Sequence, residues 1–148
     1  MRQMMRCVSI ILVVALLLAV PVCANEEIIP YSSSFFRDYD MYLYKTSSTS
    51  TTTRFQVWFD VTTVNTMSEI GASYIEVQRS SDGQNWTVMR TCEPSDYPQM
   101  LGYNTISHVN YVSYTGTNGY YYRAYIELYA RNSTGHAEWT DYTETIYL

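Results

Sequence analysis

His108 and His136 are the only imidazoles in the chain, and they could serve acid–base catalysis or metal ligation. Neither has the neighbours that such chemistry needs. His108 follows Ser107 in a β-patterned stretch and His136 follows Gly135, but no nucleophile elbow or spaced ligand set surrounds either. Two distant histidines and one cysteine are too few for a zinc site. Asp38-Tyr39-Asp40 has a calcium-like look yet lacks the glycine and downstream glutamate of an EF-hand loop. Glycines occur singly at turns, so no loop is built to cradle phosphate. Asn85-Trp86-Thr87 and Asn132-Ser133-Thr134 have the form of glycosylation sequons. The expectation is no catalytic residue, no cofactor-binding residue, no metal ligand and no cofactor. An extracellular enzyme ranks third among the readings, because ionisable groups do not cluster.

Aromatic chemistry is better represented, with 16 tyrosines in 148 residues. Gly119 to Arg131 splits by alternation into two sets. Tyr120, Tyr122, Ala124, Ile126, Leu128 and Ala130 form one; Tyr121, Arg123, Tyr125, Glu127, Tyr129 and Arg131 form the other. Period-two segregation of aliphatics from charge predicts a half-buried central strand of an antiparallel sheet. Its polar face then carries Tyr121, Arg123, Tyr125 and Tyr129, a candidate surface for a protein or glycan partner. The structural alternative is that tyrosine and threonine cover one another across strands on a solvated face.

The strand needs partners, and the chain supplies them. Asp40 to Lys45 reads as a short first strand, followed by the all Ser/Thr run Thr46 to Thr53. Phe55, Val57, Phe59 and Val61 alternate with polar positions as a second strand. Thr66-Met67-Ser68-Glu69 fits a capping box with Gly71 as terminator, predicting one helical turn. Ser73 to Ser80 and Trp86 to Thr91 form a hairpin about a tight Asp82-Gly83 turn. Glu93 to Asn104, with two prolines, reads as a loop crossing between sheets. Ile106 to Tyr114 is a strand whose alternation stumbles near Asn110, the mark of a bulge. Asn132 to Gly135 turns, and Thr140 to Leu148 closes the sheet. About seven strands and one long crossover predict an all-β fold, a two-sheet antiparallel Greek-key β-sandwich, in preference to a closed barrel.

Upstream, Arg2 and Arg6 precede an apolar run from Val8 to Val20, too short for a membrane span and of signal-peptide length. Residues 1–24 are therefore expected to be a signal peptide cleaved after Ala24; acylation at Cys23 is the alternative. Residues 25–39 read as an N-terminal arm and 40–148 as the β-sandwich domain, soluble and extracellular. Losing Arg2 and Arg6 takes the formal net charge from −5 to −7, seven basic against fourteen acidic residues. That balance argues against nucleic acid, and against membrane binding after cleavage. Cys92 alone remains, so no internal disulfide can form. It reads as a small buried hydrophobe, with an intermolecular disulfide or reactive thiol as the other readings.

Tyr74 to Val88, reading Tyr-Ile-Glu-Val-Gln-Arg-Ser-Ser-Asp-Gly-Gln-Asn-Trp-Thr-Val, resembles the C to C′ hairpin of fibronectin type III domains, an immunoglobulin-like fold. Tyr120-Tyr121-Tyr122-Arg123-Ala124, with the Asn132 to Gly135 turn, resembles their strand F and F–G turn. The match covers about half of the mature chain. Phe59 stands where those domains usually carry a buried tryptophan, and the central strand is longer than theirs. The layout as a whole also resembles a family of small exported proteins from Gram-positive bacteria with no characterised activity. The second resemblance implies a secreted bacterial protein and supplies no activity. The aromatic residues themselves give the expectation of a secreted, non-enzymatic module that binds a protein or glycan partner through an aromatic sheet face or loops. A structural or spacer domain without a discrete ligand is the alternative.

Overall fold

The structure, a computed structural model, describes residues 35–148; the expected signal peptide and the arm up to residue 34 lie outside the described residues. Those residues form an all-β antiparallel fold of seven strands: β1 (Phe36–Ser48), β2 (Thr52–Ser80), β3 (Thr87–Cys92), β4 (Leu101–Thr117), β5 (Tyr121–Asn132), β6 (Gly135–Tyr142) and β7 (Ile146–Tyr147). A single 3₁₀ turn, Pro98–Met100, leads into β4. Phe36 to Tyr39, expected in the arm, are the first residues of β1.

The strands make one hydrogen-bonded sheet curled into a half-barrel, where two sheets were expected. The reason lies in β2, which runs 29 residues and pairs with four other strands. Its first half lies between β1 and β4, and its second half between β5 and β3. The helical turn expected at Thr66 to Gly71 is therefore absent. Met67 and Ile70 are fully buried, and Glu69 pairs with Arg131 at 2.9 Å instead of capping a helix. Ser68 Oγ donates to the Arg131 carbonyl. Tertiary partners have overridden a local signal. A register shift, in which Thr62 faces Ser107 but Met67 faces Thr105, pushes exposed Val64 to Thr66 out of the ladder and bends the strand. No shift occurs at Asn110, which pairs regularly with Phe59.

The bend lays the two halves of the sheet against each other. Phe55, Val57, Phe59 and Val61 from the first half share one core with Ile75, Val77 and the inner face of β5. On β5, Tyr122, Ala124, Ile126, Leu128 and Ala130 are buried while the intervening residues are half-buried, as alternation predicts. Side chains close the curl along one side. The Tyr39 and Trp139 rings lie 5.1 Å apart between β1 and β6, and Lys45 Nζ donates to the Tyr147 carbonyl at 2.8 Å.

The β2–β3 connection is a loop spanning residues 81–86, longer than the expected tight turn. Gly83 takes the positive φ of 74°. Asp82 organises the loop by accepting from the backbone of Asn85 and Gln84, from Asn85 Nδ2 and from Ser80 Oγ. These bonds, led by the Asn85 amide, hold its carboxyl far below the ordinary aspartate range.

Cys92 ends β3 opposite Ile75 and is 1% exposed, so it is a packing residue. Burial pushes its thiol above the ordinary range. Native protein should therefore react slowly with thiol reagents and quickly once unfolded. Cys92→Ser should cost about 1–3 kcal/mol by burying a hydroxyl in place of the thiol. Urea titration and timed labelling check both, and rapid native labelling would contradict the packing role.

Candidate functional site

The outer face of β5 is positioned by cross-strand pairing with β2 on one side and with β6 and β7 on the other. Arg123 is its best-anchored residue. Its guanidinium carbon lies 4.3 Å from the centre of the Trp86 ring and 4.0 Å from that of Tyr142. Nε donates to Gln78 Oε1 at 2.9 Å. A cation held against two aromatic faces loses little further freedom on meeting a ligand.

Tyr121 packs against Tyr147 at 4.8 Å, and its ring borders Gly83 in the β2–β3 loop. Tyr125 sits between Tyr142 at 5.3 Å and Tyr74 at 6.5 Å, and its hydroxyl donates to Glu127 at 3.2 Å. Tyr129 lies against His136 at 6.1 Å. Burial pushes the Tyr125 and Tyr129 phenols above the ordinary tyrosine range, so both remain neutral donors at neutral pH. All four candidate residues thus share one face, and all are half-buried. They form a strip along β5, since same-face neighbours are about 6.6 Å apart.

Trp86, Tyr142 and Gln78 complete this strip and were not singled out from the sequence. Their contribution depends on register: Gln78 faces Arg123, and Tyr142 faces Tyr125. The histidines are not brought together with it as a catalytic set. His108 Nε2 lies 2.8 Å from the Gln99 carbonyl and its ring packs against Phe59, while His136 serves as the neighbour of Tyr129. Asp38 and Asp40 lie on the outer side of β1, where Asp40 faces Asp60. Among the described residues no group of three or more histidine, cysteine or acidic side chains could hold a metal ion, and no helix is long and apolar enough to cross a membrane.

Comparison of the chain with protein-family models, with curated proteins and with solved structures finds no match. The strip offers π faces, phenolic donors, one fixed cation and the Glu127 carboxylate that accepts from Tyr125.

Proposed function

We propose that the chain is a secreted, non-enzymatic β-sandwich module that binds a protein or glycan partner through the outer aromatic face of β5. The observation that carries this reading is the clamped Arg123 flanked by Tyr121, Tyr125 and Tyr129 on one rigid strand. Large amphipathic rings fixed by a scaffold supply contact area at low entropic cost.

The fibronectin type III-like relationship is part of the proposal. The two halves of the curled sheet would serve as the two layers of the sandwich. Tyr122 supports it: its hydroxyl donates to the Thr117 carbonyl at 3.1 Å and accepts from the Thr117 amide at 2.9 Å. A tyrosine near the start of strand F that bonds backbone a few residues upstream is a hallmark of immunoglobulin-like sandwiches.

One observation favours the second reading, a structural or spacer domain. Every one of the four outer residues already packs against a cross-strand neighbour, which by itself stabilises a sheet. A glycan and protein-partner array probed with the purified protein separates the two. Saturable capture of a discrete ligand is expected from the binding module. An array without saturable signal favours the spacer.

A further inference from the structure

The opposite half of the sheet carries a second arrangement of side chains, distinct from the β5 strip. On the outer side of β1, β2 and β4, Tyr42, Trp58 and Tyr111 stand in one cross-strand row. Tyr42 lies 6.1 Å from Trp58 and nearly parallel to it, and Trp58 lies 4.7 Å from Tyr111. Trp58 Nε1 is held by Gln56 Oε1 at 3.0 Å. Tyr42 is 40% exposed and Tyr111 37%, so the row presents ring surface to solvent.

Over the next two same-face steps along β4 from Tyr111, about 7 to 14 Å, the surface turns cationic. Arg54, which faces Thr115 across the ladder, and Arg90, which arrives from β3 and lies over the core-packed Tyr114 ring at 5.8 Å, line a cleft of about 270 Å³ at the edge of β4 with Ser113 and Thr115. The Arg90 guanidinium is anchored on the Ser113 carbonyl at 3.3 Å. Among the described residues the ion pair present is Arg131 with Glu69, so no described carboxylate pairs with Arg54 or Arg90. Two unneutralised guanidiniums converge on one cleft in a chain with more acids than bases.

We propose that this face binds a carboxylated glycan, a polysaccharide bearing uronic acid units. A pyranose presents a C–H face that packs on aromatic rings, and its carboxylate matches the planar guanidinium fork. Trp58 and Arg54 stand four residues apart on β2, about 13.6 Å, so successive units of one glycan chain reach the row and the cleft. The proposal rests on residues separate from the β5 strip, and stands or falls independently of it.

The test is calorimetric titration of the purified protein with oligogalacturonate, using a neutral oligoglucan and poly-glutamate as comparisons. Oligogalacturonate should bind, and more weakly as salt is raised. The neutral oligoglucan should bind at least about tenfold more weakly, as should oligogalacturonate to Trp58→Ala and to the double variant Arg54→Ala with Arg90→Ala. Tyr111→Ser gives a milder probe of the row if Trp58→Ala loses its far-UV spectrum. The inference is overturned if oligogalacturonate does not bind, or if folded row variants bind it normally. Equal binding of poly-glutamate would also overturn it, making the cleft a site for acidic peptides.

Discussion

Tyr122→Ala is expected to lower the stability of the domain by about 3–5 kcal/mol, as aromatic truncations in packed cores do. The ring is 1% exposed and sits between Phe55 at 5.4 Å and Tyr114 at 6.2 Å, which join the two halves of the sheet. It also covers Gly116, where a Cβ would come within 2.8 Å of the phenol ring. Truncation therefore leaves a cavity where the halves meet. It also removes the hydroxyl that pairs with both backbone groups of Thr117, and a hydrogen bond contributes about 0.5–1.5 kcal/mol net. Tyr122→Phe isolates that second contribution. Domains of this size are stable by about 5–15 kcal/mol in all, so the loss is a large fraction of the total. Urea midpoints followed by far-UV circular dichroism measure the effect, and an unchanged midpoint would contradict the packing described.

Gly71→Ala should be comparably damaging for a different reason. Gly71 lies within β2 where the strand is paired on both sides, with Leu101 and with Tyr129, and its φ is +150°. A Cβ there would fall 2.0 Å from the Met100 carbonyl oxygen, a backbone atom. Met100 is itself fixed by a bond from its amide to the Tyr97 carbonyl at 2.9 Å, so it has little room to yield. Backbone strain adds about 1–3 kcal/mol, and forced repacking roughly another 1–3. Gly119→Ala is the matched comparison, with φ +88° and open space around the added carbon. It should show the conformational cost without the clash. Equal unfolding midpoints for the two variants would refute the steric argument.

Gly71 also shows where sequence reasoning reaches its limit. A glycine after Thr66-Met67-Ser68-Glu69 has the local pattern of a helix end, and nothing nearby in the chain says otherwise. What decides the matter is distant: Arg131 draws Glu69 into a salt bridge, and Met100 packs over Gly71. The continuity of β2, and with it the single curled sheet, follows from those partners. β5 was legible because period-two alternation is a local property, and burial of Tyr122, Ala124, Ile126, Leu128 and Ala130 follows it residue by residue. The candidate residues Tyr121, Arg123, Tyr125 and Tyr129 fell on the opposite face for the same reason. Trp86 and Tyr142 were not legible as the clamp on Arg123, and neither was the row of Tyr42, Trp58 and Tyr111. Both depend on register between strands far apart in the chain, which composition and periodicity do not encode.

The claim that the outer face of β5 binds while its inner face holds the fold is tested most directly by the double variant Tyr121→Ala with Tyr125→Ala. Its capture of the array-identified partner should be measured beside its thermal unfolding. Binding should be abolished, while stability falls by only about 0.2–1 kcal/mol for each cross-strand pair lost. Normal capture of the partner by the double variant would contradict the assignment, as would loss of the fold.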